Sequence, residues 1–196
     1  MNEHHTLVWV DRMPPLAMEE LDEAQRVAAQ ELIAGPRKGV KGPFIPLLRS
    51  PDLLRHVQKL GEHLRFNTSL SRRVSEFATL ICAREWTQQF EWYVHVPLAL
   101  EAGTAADAIE ALREGRRPTT LSPEEQTVYD FAMELLRNKG VSDATYQDAL
   151  SRFSEQGVVE LVAIIGYFGM VSMILNVAHT AAAPVPGIKP LETWPL

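Results

Sequence analysis

Between Glu76 and His95 the chain reads EFATLICAREWTQQFEWYVH, and groups able to move protons recur in it at helical spacings. Gln88 to Glu91 is three residues and Glu91 to His95 is four. On an α-helix those steps stack Gln88, Glu91 and His95 on one face, a turn apart. Phe90, Trp92, Tyr93 and Val94 surround them, so part of that face is expected to be dry. A carboxylate beside an imidazole in an apolar wall makes a general acid–base pair, because desolvation and mutual charge bring both pKa values towards neutrality. The same spacing suits a solvated surface pair, and spacing alone leaves both readings open.

The elements that must position these groups read as helices throughout. Leu16 to Ala34 carries a stripe of Leu21, Ala24, Ala28 and Leu32, stopped by Gly35-Pro36. A loop rich in Gly and Pro follows, with Arg37, Lys38, Lys41 and Arg49 around Phe44, Ile45, Leu47 and Leu48. A loop of that length is either a solvated connection or one lip of an anion-binding mouth. Ser50-Pro51 opens the next helix, with Leu53, Val57, Leu60 and Leu64 as its expected buried stripe. His56 and His63 fall off that stripe. Leu70, Val74, Phe77 and Ile81 mark a further helix, which carries Glu76.

In one straight helix Glu76 and His95 would stand roughly 28 Å apart. The two share a site only if the chain breaks between them or another subunit supplies one of them. Thr87 can cap a new helix there, although no Gly or Pro enforces the break. Pro97 is expected to kink the second piece just after His95, and Gly103 to end it. Thr104 caps a short helix through Ala108, Ile109 and Leu112. Ser122-Pro123-Glu124-Glu125 starts another, which buries Val128, Phe131, Ala132 and Leu135 and stops at Gly140. Ser142 caps the next, through Tyr146, Ala149, Leu150 and Phe153; after Gly157 an apolar helix runs to about Thr180, before a Pro-rich tail. Seven or eight helices without sustained strand alternation predict an all-α fold.

Composition narrows the function. With 196 residues and 46% hydrophobic content, the chain can bury one proper core. A net charge of -6 without a Lys/Arg block argues against a nucleic-acid surface. A single cysteine, Cys82, leaves no internal disulfide and no two-cysteine metal site. Glu91 and His95 with His4, His5 or His179 form no compact ligand set, so no metal is expected. The N-terminus is not a secretory signal, and a cytoplasmic protein is expected. Leu161 to Ala178 holds eighteen residues without a formal charge, but polar and Gly interruptions and the lack of flanking Lys or Arg argue against a membrane span. Apolar on every side, that helix is expected to lie in a core or between subunits of a homo-oligomer.

The motif resembles that of the carboxymuconolactone decarboxylase and AhpD-like superfamily. Its peroxidase branch carries Glu, eleven residues, Cys, two residues, Cys, three residues, His; here the frame holds Glu76, Gln88, Glu91 and His95. The Glu and His match, and both cysteines are replaced. Gly103 and the run VVELVAIIGYFGMVSMILN extend the resemblance, which spans roughly Pro43 to Asn176. It implies an AhpD-like bundle over residues 44–182, an N-terminal arm and helix over 1–43, a tail over 183–196, and a trimer or hexamer. One thiol cannot run a cycle that needs a resolving partner, so the decarboxylase-like branch is the nearer one.

That chemistry needs no cofactor. In a carboxylated lactone of this type, loss of carbon dioxide sends electrons into the unsaturated lactone carbonyl, and the enzyme must stabilise the dienolate and protonate carbon. His95 is then the proton donor, with Glu91 or Glu76 orienting and charging it. Gln88, Arg84, Arg73 and Trp92 are the residues expected to bind the substrate, Arg84 first among the carboxylate holders. Two other readings stay open: a thiol peroxidase, and a non-catalytic helical assembly protein whose Glu91 and His95 would lie in solvent away from any pocket.

Overall fold

The computed structural model describes residues 10–192; His4, His5 and most of the apolar patch from Leu7 lie outside them. Eight helices follow a short 3-10 turn at Met18–Glu20: α1 (Glu23–Ala34), α2 (Phe44–Leu47), α3 (Pro51–Phe66), α4 (Arg72–Glu85), α5 (Gln89–Glu101), α6 (Ala106–Arg113), α7 (Pro123–Asn138) and α8 (Asp143–Ala178). No strand occurs among the described residues, and the all-α class expected from sequence is the one observed.

Helix α4 is the hub, with α5, α7 and α8 packed around it and α6 in lesser contact. From Phe77 to Arg84 every residue of α4 is buried, as are Val74 and Glu76. Side-chain caps set the starts of several helices. Asp22 and Gln25 form a reciprocal box, so α1 begins at Glu23 rather than at Leu16, and Ala24 is exposed. Ser122 with Glu125 starts α7, and Ser142 accepts from Thr145 to start α8, both as the sequence predicts. Ser50 makes no capping bond to α3, and Thr104 does not cap α6; its buried hydroxyl has no partner and Ala105 takes the cap position.

The α3 stripe is displaced from the one expected. Leu54, Val57, Gly61 and Leu64 face the core, while Leu53 and Leu60 are 47% and 44% exposed. Both rows contain leucine, and the packing selects the row with Gly61, which lets Tyr167 approach α3 closely: a Cβ on Gly61 would lie 2.1 Å from the Tyr167 hydroxyl oxygen. Helix α5 runs through Pro97 to Glu101, just short of Gly103. Helix α7 stops at Asn138 with Lys139 left-handed, ahead of Gly140. The two expected helices around Gly157 form one run, kinked at Ser154, whose φ of 62° and ψ of 174° lie outside the helical region. Of the most apolar window of α8, 61% is buried within the fold, although the helix has the length and composition of a membrane span.

Between α4 and α5 the chain breaks. Thr87 adopts a left-handed φ of 46°, and Gln88 caps α5 by accepting from the Phe90 amide at 2.6 Å. The sequence expectation gave the cap to Thr87; the cap lies one residue later. Asn176 of α8 clamps the turn, accepting from Gln88 Nε2 at 2.8 Å and donating to the Trp86 carbonyl at 2.9 Å. A β-branched residue at positive φ costs roughly 1–2 kcal/mol. Thr87→Gly is therefore expected to raise stability by about 1 kcal/mol, read as a higher urea midpoint with unchanged slope; a loss of stability would show that the Thr87 side chain is needed to form the turn.

Candidate active site

The break folds α5 back along α4 and places Glu76 against His95 within one chain. His95 Nδ1 and Glu76 Oε2 are 2.6 Å apart, a short hydrogen bond in the protein interior. Glu91, one turn before His95 on α5, brings Oε2 to 3.4 Å from Nε2, an ion-pair contact longer than a strong hydrogen bond. Glu76, Glu91 and His95 are all buried, at 7%, 4% and 3% exposure. Phe168 of α8 meets the imidazole edge-on, with ring centres 5.0 Å apart. Each residue sits at a helical step fixed by the local sequence, and the break alone brings the two helices into register.

Burial alone would push the His95 imidazolium down. The hydrogen bond to Glu76, the contact with Glu91 and the charges of both carboxylates outweigh it, so the pKa is raised. Glu76 thus keeps the Nδ1 proton in place and stabilises the cation, leaving the Nε2 proton beside Glu91. That arrangement suits a general acid: one proton is held, the other is available.

Glu91 and His95 line a cavity of about 310 Å3. Glu76 does not line it and acts from behind the imidazole. The other walls come from the loop after α1 (Arg37, Lys41), Phe44 of α2, Glu62, Arg65 and Phe66 of α3, and Tyr167 and Phe168 of α8, with Phe90 from α5. Arg37 lies over the Phe44 ring at 4.3 Å. Burial holds its guanidinium below the usual value; the Tyr167 hydroxyl opposes this, and the nearby Arg65 charge adds to it. Gly42, at φ 54°, brings the loop onto α5, where a Cβ would lie 2.2 Å from the Phe90 ring. Only glycine satisfies both that angle and that closeness. Among the described residues no group of three or more His, Cys, Asp and Glu is arranged to hold a metal ion.

The four residues expected to bind substrate lie away from this cavity. Gln88 is spent on the α4–α5 turn and on Asn176. Arg84 donates to the carbonyls of Arg113 and Glu192, fastening the C-terminal segment to α4 and α6. Arg73 pairs with Glu124 at the surface. Trp92 points to the opposite side of α5 and donates to the Lys189 carbonyl. Sequence spacing placed all four near the motif; the break and the C-terminal segment turn them elsewhere. In their place stand Arg37 and Lys41, from the loop read as a lip for anions or a mere connection, and Arg65, Tyr167 and Phe168, which the sequence reading missed. The one legible signal for them was the aromatic pair Tyr167-Phe168 within the otherwise non-aromatic stretch 161–178.

Because the folded state binds the His95 proton more tightly than the unfolded chain, this group's stabilisation is complete below the unfolded value of about 6.5 and is lost as pH rises through the higher folded value. Urea midpoints are therefore expected to fall from about pH 6 towards pH 9, and His95→Gln should flatten that slope. An unchanged slope in the variant would assign the pH dependence to another group.

No protein-family profile matches the chain, and no curated protein matches its sequence. Among solved structures, an alkylhydroperoxidase AhpD core, an uncharacterized peroxidase-related protein from Ralstonia eutropha JMP134, superposes with a TM-score of 0.67. The match covers 85% of this chain and 88% of that one at 15% sequence identity. At that identity the likeness speaks for the backbone and not for the chemistry: the chain has an AhpD-like, all-helical core fold.

Proposed function

We propose that the cavity carries out cofactor-free proton transfer to carbon, as in the decarboxylation of a small carboxylated lactone or a related product of aromatic-ring breakdown. The observation that carries the reading is the buried Glu76–His95–Glu91 chain, of which His95 and Glu91 border the cavity. In such a step the carbon–carboxylate bond breaks, carbon dioxide leaves, and the electron pair moves into the conjugated carbonyl of the lactone. His95 Nε2–H then protonates the carbanionic carbon, while Glu76 retains the Nδ1 proton and keeps the imidazole in place. Glu91 is positioned to pass a solvent proton back to Nε2. The hydrogen bonds and charges of the two carboxylates outweigh burial and raise the His95 pKa, which favours the charged donor.

The peroxidase-related description of the structural neighbour favours a second reading, thiol-dependent peroxide reduction. Against it stands Cys82. The thiol is fully buried beside the Ile165 carbonyl, and burial foremost pushes its pKa up to about 12. Reactive thiols are instead exposed and easily ionised. The non-catalytic reading asked for Glu91 and His95 in solvent and apart from any pocket; both are buried and line one.

His95→Gln should lower turnover of a carboxylated lactone by about 10²–10⁴-fold with the fold retained, whereas Cys82→Ser should leave turnover unchanged. Near-wild-type activity in the first variant, or loss of activity in soluble, folded second variant, would overturn the assignment. Assays with an organic hydroperoxide and a dithiol test the second reading directly.

Self-association as a trimer or hexamer forms part of the same reading. Helix α8 leaves Val159 and Val177 68% and 59% exposed, and Val162 and Met173 also reach solvent. Light scattering at micromolar concentration is expected to give a multiple of the monomer mass; a fully active monomer would refute the assembly.

A further inference from the structure

The cavity that His95 opens onto also holds two incompletely satisfied guanidinium groups. Nε and Nη2 of Arg37 and Nε of Arg65 are buried with no partner at hydrogen-bond geometry; the Tyr167 hydroxyl lies near enough to favour the Arg37 charge, and among the described residues no ion pair joins either guanidinium to a carboxylate. Buried donors without partners are uncommon in folded proteins, and each costs free energy unless something fills the gap. Burial and the Arg65 charge both disfavour the charged form of Arg37, and Tyr167 and Glu91 offset them only in part. Each group lies over an aromatic ring, Arg37 on Phe44 at 4.3 Å and Arg65 on Phe66 at 5.3 Å, which limits its freedom to turn towards solvent. The loop that carries Arg37 is also fixed, by Gly42 against Phe90.

We propose that Arg37 and Arg65 are the carboxylate-binding residues of this cavity, and that its ligand is a small, flat, aromatic or conjugated monocarboxylate. An anion between the two guanidiniums would satisfy their unpaired donors and cancel their repulsion. Phe90 and Phe168 offer apolar surface to the rest of the ligand, and His95 stands beside Phe168. The volume of about 310 Å3 lies at the small end of ligand sites, which suits one ring rather than a nucleotide. Glu62 and Glu91 border the same space, so a single negative charge fits where a dianionic phosphate would meet two carboxylates. The proposal rests on the proton-transfer reading only for which end of the ligand meets His95.

The test is calorimetric titration with benzoate, benzamide and inorganic phosphate at low salt. Benzoate should bind the wild-type protein, and benzamide, its neutral counterpart, about tenfold or more weakly. Arg37→Met and Arg65→Met should each weaken benzoate by roughly tenfold to a hundredfold. Arg37→Lys, which keeps the charge and loses the fork, should also weaken it, with circular dichroism showing the fold intact. No benzoate binding at millimolar concentration, equal binding of benzamide, tighter binding of phosphate, or folded arginine variants with wild-type affinity would each overturn the proposal. Arginine-dependent binding that persists in His95→Gln, with no turnover of any carboxylated lactone by the wild type, would leave the subsite standing and remove the chemistry. Turnover whose KM is indifferent to both arginines would do the reverse.

Discussion

The hydrogen bond between Glu76 and His95 is the constraint around which the fold is arranged. A carboxylate and an imidazole taken out of water are costly unless they face each other, and removal of either leaves an uncompensated buried group. Their meeting at 2.6 Å requires two antiparallel helices with one particular offset, so the position of the turn between them is not free. Thr87 accepts a left-handed conformation to make that turn, Gln88 caps the helix that follows, and Asn176 holds both from α8. The same α8 places Phe168 on the imidazole. One element therefore fixes the turn and dries the site it creates.

How much of this was legible follows from the range of the forces involved. The Ser122–Glu125 box and the Ser142 cap could be read because their partners lie three residues away, and helical geometry fixes such pairs without the rest of the protein. The stack of Glu91 on His95 is legible for the same reason. The α3 stripe was not, because two leucine rows compete there and the choice depends on Tyr167, more than a hundred residues later. Arg84 misled for a related cause. Its spacing from Gln88 says nothing about the C-terminal segment, whose Glu192 carbonyl takes up the guanidinium. Arg65 and Tyr167 reach the cavity only by tertiary packing, and no local pattern marks Arg65.

The frame that resembles the superfamily's redox motif divides, in this chain, into two unlike parts. At the first cysteine position Gln88 is a structural residue, with both ends of its amide engaged at the helix junction. At the second, Glu91 touches His95 and borders the cavity. With an amide and a carboxylate at these two positions, Glu76 and His95 are in contact and a carboxylate lies beside the imidazole. A thiol pair would offer electrons there; a carboxylate offers charge and a path for protons. The remaining thiol, Cys82, lies one helix earlier and in the core, where its ionisation is suppressed.

Binding and proton transfer are carried by different parts of the chain. The donor system belongs to α4 and α5, at the hub of the bundle, where most neighbours are buried and displacement of a side chain disturbs packing on several sides. The cationic wall belongs to the loop after α1 and to the end of α3, at the periphery, and touches the hub chiefly through Gly42 on Phe90 and Tyr167 at Gly61. Changes in that wall alter which anion fits without moving the Glu76–His95 contact, because no residue of the wall takes part in it. An imidazolium between two carboxylates carries one net negative charge, and the guanidiniums across the cavity carry positive charge that an entering anion would offset. The charge of His95 is set by Glu76 and Glu91 and not by the guanidiniums, so an anion held on the cationic wall leaves the proton donor's own partners in place.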